Sequence, residues 1–271
     1  MSDNDIEKQI KTIDGKLYAL LIKRTELVKK NPYPLKIENI LGYEAKEIRQ
    51  MLKSHKGDFP EYVLAKILRE ILSASANLTE KIKIAAYGDE KDIVLLNYIQ
   101  EHFGSYIDVF MLSSYSQVFN MVSTHETDLA IVPSDNHEMN IKPWWNTLLA
   151  DKKKESLNIV AKLPFILSSN NIPENEMYVL ALSPADASGI DNSIFAIETE
   201  VDVSHSTIIE TLAELGFSEA KIAATTNFEE TKYSLVEVKG FVKAETMHKM
   251  EKPKVFKNLQ LAGTYAKSIA L

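Results

Sequence analysis

The sequence predicts a multidomain α plus α/β protein with an all-helical unit (1–80), an α/β lobe (81–185) and a small β-α unit (190–271). The first observation behind this division is the length, because 271 residues are more than one hydrophobic core usually holds. The second is that apolar residues recur at helical spacing early in the chain and give way to short apolar runs. The change falls within residues 64–88, where an amphipathic helix leads almost directly into a short buried strand.

Composition and charge exclude several classes of function. The chain has no cysteine, so a disulfide, a thiolate metal site and a cysteine nucleophile are excluded. Its formal net charge of −7 argues against a nucleic-acid partner. No apolar run approaches the roughly 18 residues that a membrane-spanning helix needs, and the first residues lack the features of a signal peptide. We therefore expect a cytoplasmic protein without a membrane partner.

The helical unit is predicted to contain three helices. The first spans residues 4–30, where apolar side chains mark one face along its whole length. Two prolines within residues 31–34 end this helix, and further helices are expected at about 43–55 and 60–79. The first helix is too long to be covered by its own small unit. Periodicity alone nevertheless favours a helix of an ordinary bundle over one that crosses into a second chain.

The α/β lobe is predicted from alternating strand and helix patterns. Such alternation indicates a largely parallel sheet with helices on its faces. The patterns place strands at 81–88, 107–112, 128–133, 157–167 and 177–182, and helices at 92–103, 116–122 and 144–150. The last helix carries Trp144 and Trp145 beside Pro143. Paired tryptophans stack on some ligands, but we interpret this pair as buried packing or an interface anchor.

The C-terminal unit is predicted to follow the order β-α-β-β-α, which is the ferredoxin-like layout. The order rests on apolar runs and periodic stretches at 194–199, 207–215, 220–225, 233–238 and 244–249.

Several segments resemble one known family. Residues 69–74 read REILSA and lead into KIAAYG at 83–88, which is similar to the junction of the bifunctional P-proteins. In that family a helical chorismate mutase is fused to prephenate dehydratase. Residues 10–24, IKTIDGKLYALLIKR, resemble the first helix of the helical chorismate mutases. Further resemblances, to strands of the dehydratase lobe and to its regulatory ACT domain, lie at 129–133, 162–168, 233–240 and 261–265.

The resemblance implies a site for the rearrangement of chorismate to prephenate. This reaction is pericyclic, so the site must hold two carboxylates and stabilise charge on an ether oxygen, and no cofactor or metal is expected. The family's carboxylate-binding arginine falls on Arg24, its hydroxyl-binding carboxylate on Glu44 and its late serine on Ser75. Lys36 is the nearest candidate for the ether-oxygen lysine. Arg24 and Glu44 also have plain interpretations, as a snorkelling surface residue and a solvated charge near a helix N-terminus.

Four other positions depart from the mutase pattern. Glu7 stands where the partner chain would contribute an arginine, and Leu35 stands where the lysine would lie. Tyr43 replaces an arginine, and Thr79 replaces a glutamine or glutamate. Because losing one preorganised donor typically costs roughly 100- to 1000-fold in rate, we expect a weakened mutase site.

The dehydratase and regulatory motifs are also changed. The three dehydratase motifs read GDEKDIV at 88–94, DNH at 135–137 and EMY at 176–178, and the two phenylalanine-binding motifs read STI at 206–208 and AATT at 223–226. Only about eight residues, 170–177, stand where the family has a whole second lobe. Without that lobe there is no interlobe cleft to hold a substrate, so we expect neither dehydratase activity nor phenylalanine sensing by this route.

Functions from different classes stay open at this point. The first is a chorismate mutase-like enzyme of phenylalanine and tyrosine biosynthesis, with a weakened site for a chorismate-like dicarboxylate. The second is a non-catalytic regulatory or interaction protein that binds another enzyme of the same pathway. A third alternative is a mutase-fold unit that binds a different small acid. The resemblance also implies a homodimer formed through the first helix.

Overall fold

The computed structural model describes residues 3–30, 37–78, 81–135, 141–150, 155–167 and 175–271. The first part of the chain forms three helices, α1 (Asp3–Lys30), α2 (Ile37–Ser54) and α3 (Glu61–Ala76). Acidic residues open α1 and two lysines close it, which is the charge arrangement that the helix dipole favours. α3 begins directly after Pro60, and its buried face carries Ala65, Arg69 and Leu72.

Strands and further helices follow from residue 83 onward. The helices are α4 (Ile93–Phe103), α5 (Tyr115–Ser123), a 3₁₀ helix (Trp144–Leu149), α6 (His205–Glu214) and α7 (Ala244–Lys249). The strands are β1 (Lys83–Tyr87), β2 (Asp108–Leu112), β3 (Leu129–Pro133), β4 (Asn158–Leu163), β5 (Ile166–Leu167), β6 (Met177–Ala181), β7 (Asp191–Glu200), β8 (Lys221–Phe228), β9 (Thr231–Lys239), β10 (Asn258–Ala266) and β11 (Ile269–Ala270).

Nine of these strands form one mixed sheet in the order β2-β1-β3-β6-β4-β10-β7-β9-β8. β1 pairs in parallel with β2 and β3, as the alternating pattern predicts. The expectation of a largely parallel lobe is wrong beyond β3, because β6 runs antiparallel to both β3 and β4. β4 and β6 follow each other with only β5 between them in the chain. Such a connection suits antiparallel neighbours, whereas parallel neighbours need a longer crossover, usually through a helix.

The C-terminal part has the order β7-α6-β8-β9-α7-β10, and its four strands lie antiparallel as β10-β7-β9-β8. Apolar side chains of β7 and β9 face α6, which contributes Ile208 and Leu212 to a buried cluster. The edge strand β8 pairs with β9 alone among the described strands.

One close backbone approach joins the α/β lobe to the C-terminal part. Gly263 of β10 pairs in parallel with Ile159 of β4, so both parts share a single sheet. A Cβ atom at Gly263 would lie 2.0 Å from the carbonyl oxygen of Ile159. Only glycine allows the two backbones to come this close.

The tryptophan pair packs inside the protein. Trp144 and Trp145 are both buried, and their rings meet edge to face with 5.6 Å between centroids. The ring of Tyr178 on β6 lies 6.2 Å from that of Trp144. The interpretation of this pair as packing is therefore confirmed.

α1 is at least partly exposed at every one of its residues. Its large apolar side chains, each 44–69% exposed, are Ile6, Ile10, Ile13, Leu17, Tyr18, Leu20, Leu21, Ile22 and Leu27. A contiguous apolar surface of this kind is rare on a monomeric protein in water. None of the described helices is long and apolar enough to cross a membrane.

Candidate functional site

The end of α1 meets α3 through one arginine. Nη1 of Arg24 donates a hydrogen bond to Oγ of Ser75 and a longer one, 3.4 Å, to the carbonyl oxygen of Ile71. The Ser75 hydroxyl in turn donates to the same carbonyl at 2.6 Å. The half-buried guanidinium of Arg24 is therefore fixed against α3, and the interpretation of Arg24 as a snorkelling surface residue does not describe it.

A buried ion pair joins α2 to α3 next to this contact. Nη1 of Arg69 lies 2.7 Å from Oε2 of Glu44, and both side chains are almost completely shielded from water. Burial raises the pKa of Glu44, while the charges of Arg69 and Arg24 oppose that shift. Burial likewise lowers the pKa of Arg69, against the influence of Glu44. The interpretation of Glu44 as a solvated charge near a helix N-terminus is wrong.

The aromatic ring of Phe165 packs against the guanidinium of Arg69. Its Cζ atom lies 4.7 Å from the ring centroid of Phe165, which is close enough for a cation–π interaction. Arg49 of α2 reaches the same ring at 5.8 Å and donates to the Lys267 carbonyl at 2.5 Å. Arg49 also donates to Oγ of Ser188 at 2.9 Å. The helices α2 and α3 are thereby fixed against the end of the large sheet.

His102 of α4 lies buried beside Arg69. Neither ring nitrogen has a hydrogen-bond partner among the described residues, and the same holds for Nε and Nη2 of Arg69. Burial, together with the charge of Arg69, holds the pKa of His102 well below its usual value. A cavity of about 10 Å³ is lined by both residues and by Phe165. Such a volume suits a single bridging water and is too small for a substrate.

The structure brings three of the four predicted site residues together. Arg24 on α1 contacts Ser75 on α3 directly, and Glu44 on α2 lies close enough for the charge of Arg24 to oppose the rise in its pKa. The fourth, Lys36, lies outside the described residues, as do Leu35 and Thr79.

Two of the four positions that depart from the mutase pattern, Glu7 and Tyr43, lie within the part of the chain that the structure describes. Glu7 is exposed on α1 and forms an ion pair with Lys11 at 2.7 Å. Tyr43 lies at the surface of α2, directly before Glu44. Neither position supplies a cation to the region around Arg24.

Sequence reasoning missed Arg69 as a member of this site. A signal was present, since Arg69 lies four residues after Ala65 and three before Leu72 on the apolar face of α3. An arginine at such a spacing must be buried, and a buried guanidinium requires an anionic or aromatic partner. The partner itself could not be read from the spacing, because Glu44 lies on another helix.

Two of the three dehydratase motif positions follow the parallel strands β1 and β3, whereas the third, 176–178, lies at the start of the antiparallel strand β6. Gly88 comes directly after β1, and a Cβ there would lie 2.7 Å from a methyl carbon of Leu95. Asp135 follows β3, while Asn136 and His137 lie outside the described residues. Residues 168–174 of the connection from β5 to β6 lie outside them as well.

The comparisons with known proteins found one curated relative, and no family model matches the chain. The relative is a bifunctional chorismate mutase/prephenate dehydratase from Aquifex aeolicus, 30% identical over 141 residues. The match covers 49% of this chain and 38% of the relative, so the chain spans about two fifths of the relative's length. Homology to that relative is shown over this stretch.

Solved structures were also compared with the chain. A prephenate dehydratase from Streptococcus mutans has 15% identity and a TM-score of 0.44, and the match covers 70% of this chain and all of the other. A prephenate dehydratase from Arthrobacter aurescens has 11% identity and a TM-score of 0.45, covering 69% and 90%. GqqA, described as a quorum quenching acylase, has 14% identity and a TM-score of 0.47, covering 69% and 95%.

The buried ion pair leads to a prediction about stability. Glu44→Leu and Arg69→Met should each lower the free energy of unfolding by about 3–5 kcal/mol, since each leaves one buried charge unpaired. The double variant should lose far less than the sum, because it removes both charges. Urea unfolding at pH 7 measures all three values. Additive losses in the double variant would contradict the pairing.

His102 leads to a prediction about pH. Its pKa is lower in the folded than in the unfolded protein, so the unfolded chain takes up the proton first. The free energy of unfolding should therefore fall as the pH drops below about 6.5, by at most about 1.4 kcal/mol per unit. In His102→Phe this pH-dependent fall in the free energy of unfolding should disappear. The control His205→Gln alters an exposed histidine of α6 and should retain the same fall. Identical pH profiles for wild type and His102→Phe would refute the assignment.

Proposed function

We propose that the helical part of this chain is a chorismate mutase-like unit with a weakened site for a compact dicarboxylate. The observation that carries the proposal is the direct contact between Arg24 on α1 and Ser75 on α3, beside the buried carboxylate of Glu44 on α2. Homology to a bifunctional chorismate mutase/prephenate dehydratase supports an assignment to aromatic amino-acid biosynthesis.

The proposed chemistry requires binding and electrostatics without proton transfer. A guanidinium binds a carboxylate through two parallel hydrogen bonds, which is the role proposed for Arg24. Ser75 orients Arg24 by accepting its hydrogen bond, and its own hydroxyl is fixed by Ile71. Holding the reactant in its compact conformation lowers the entropic part of the barrier.

The same geometry accounts for a weak site. Glu44 already accepts a hydrogen bond from Arg69, so its carboxylate is partly neutralised before a substrate hydroxyl arrives. Glu7 and Tyr43 add no positive charge where the family has arginines. Two such missing donors together would cost roughly 10⁴- to 10⁶-fold in rate if each acts independently.

Dehydratase activity is not part of the proposal. The turn after β1 and the segment after β3 carry changed motifs, and the chain has only about eight residues where the family has a second lobe. A substrate at the ends of β1 and β3 would then lack an opposing wall to exclude water.

A second candidate function is that of a non-catalytic dimeric regulatory or interaction protein. The exposed apolar face of α1 favours it, because a second chain would remove that surface from water. A mutase site and such a dimer are compatible, so catalysis is the property that distinguishes the two candidates.

The proposal predicts slow but enzyme-dependent disappearance of chorismate. Purified wild-type protein should consume chorismate faster than buffer does, as measured by the loss of its ultraviolet absorbance. Arg24→Ala should lower this rate by roughly 100-fold or more, to the level of the buffer, because it removes a carboxylate-binding cation.

Lys23→Ala is the matched control, since it removes an exposed cation next to Arg24 on the same helix. Its rate should equal that of the wild type. Absence of turnover in the wild type, or equal turnover in Arg24→Ala, would reject the enzymatic proposal and leave the non-catalytic dimer.

A further inference from the structure

The carboxylate of Glu44 is the buried acceptor of the candidate mutase site. An ionised carboxylate accepts a stronger hydrogen bond from a substrate hydroxyl than a neutral carboxyl group does. Burial opposes the ionised form, because desolvation is the largest influence on the pKa of Glu44 and raises it. Fully buried glutamates in other proteins reach a pKa of about 8–9. A nearby cation is therefore needed to keep this carboxylate charged at neutral pH.

Arg69 supplies that cation. Its Nη1 donates to Oε2 of Glu44 at 2.7 Å, and its charge and this hydrogen bond are the strongest of the influences that lower the pKa of Glu44. The charge of Arg24 acts in the same direction but ranks after both. His102 lies beside Arg69 and is held uncharged by burial and by that same guanidinium. Among the described residues, Arg69 and Arg24 are thus the charged groups that act on the carboxylate.

The contact between Arg69 and Glu44 uses one oxygen of the carboxylate. Arginine and carboxylate often pair through two parallel hydrogen bonds, but here a single one joins Nη1 to Oε2. Oε1 accepts no hydrogen bond from the described residues. The Glu44 side chain remains 5% exposed against 1% for Arg69, and Oε1 is not sealed from water as Nε and Nη2 of Arg69 are. The second oxygen is therefore the one that a ligand can reach.

Arg69 has two opposing effects on Glu44 as a hydrogen-bond acceptor. It draws charge toward Oε2, which weakens the hydrogen bond that Oε1 can accept. It also prevents protonation, which would weaken that hydrogen bond further, because hydrogen bonds to an ionised partner are about twice as strong as neutral ones. An ion-paired carboxylate keeps its charge, whereas a protonated one loses it outright. The second effect of Arg69 therefore outweighs the first.

We propose that Arg69 is a positioning residue of the candidate mutase site, which keeps Glu44 charged through Oε2 and leaves Oε1 to accept a hydrogen bond from the substrate hydroxyl. Arg69 acts through Glu44, since its own side chain is almost completely buried and does not reach the substrate. This inference rests on the proposed function of the site. The buried pair thereby serves the chemistry of the site as well as the packing of α2 on α3.

The first measurement reads the charge of Glu44 without requiring turnover. A protonated carboxyl group has a carbonyl stretching band in the infrared that a carboxylate lacks, and subtracting the spectrum of the corresponding Glu44→Gln variant assigns the band to Glu44. Wild-type protein at pH 7 should show no such band. Arg69→Met should show it at pH 7, because burial then acts on Glu44 without the adjacent cation, and the band should disappear toward pH 9.

The second measurement is the rate of chorismate disappearance between pH 7 and pH 9. A carboxyl group with a pKa of about 8 is charged in about a tenth of the molecules at pH 7. The rate of Arg69→Met should therefore be about tenfold or more below that of the wild type at pH 7, and it should rise toward pH 9. The wild-type rate should not rise over this range. A residue with a purely structural role would lower the rate equally at every pH.

Two further variants separate the effect of charge from that of packing. Arg69→Lys keeps a positive charge beside Glu44, so it should restore the wild-type pH profile and show no Glu44 band at pH 7. Arg49→Met is the matched control, since Arg49 lies on α2 and contacts the same Phe165 ring at 5.8 Å without acting on Glu44. It should keep the wild-type spectrum and the wild-type pH profile. Circular dichroism verifies that each variant is folded.

Three outcomes would overturn the proposal. A Glu44 band in wild-type protein at pH 7 would do so even if Arg69→Met fails to fold. A folded Arg69→Met that lacks the band, or whose rate is lowered equally at every pH, would do so as well. A wild type without turnover would instead reject the proposed function and, with it, the role of Oε1 toward a substrate. The infrared band would still decide whether Arg69 keeps Glu44 charged.

Discussion

The ion pair between Glu44 and Arg69 is the constraint on which the helical part depends. Two buried charges are tolerated only when they are paired, so α2 and α3 must keep one register relative to each other. Phe165 covers the free side of the guanidinium and belongs to the segment that leads out of the sheet. The pair therefore fixes both the geometry of the helices and their attachment to the rest of the chain. It also occupies the carboxylate that the proposed substrate site would otherwise offer.

The nine-stranded sheet joins the α/β lobe to the C-terminal part. Gly263 allows β10 to approach β4, so the strands of both parts form one continuous sheet. Strands of one part alone would leave an exposed edge at this point. The same stretch of β10 carries a bulge, in which Ala262 is the extra residue. A single irregular stretch of β10 thus joins the two parts of the sheet.

The elements that the sequence predicted well are those with local causes. Apolar spacing located α1 and α7 to within a residue, and short apolar runs located β1 and β3. The pairing direction of β6 could not be predicted, because it depends on which strands become neighbours. The same limit applies to the site: Arg24, Ser75 and Glu44 were identified through a resemblance, whereas the partnership of Glu44 with Arg69 joins residues 25 positions apart. The bulge of β10 at Ala262 has no clear local signal in the sequence.

α1 has an apolar face that is exposed in a single chain, and its last turns carry Arg24. The most direct test of a dimer formed through α1 is the molar mass in solution, determined by size exclusion with light scattering. We expect twice the 30.6 kDa of one chain, and a shift toward the monomer in Leu17→Glu, which places a charge on the apolar face. A wild-type protein that stays monomeric at micromolar concentration would contradict the dimer.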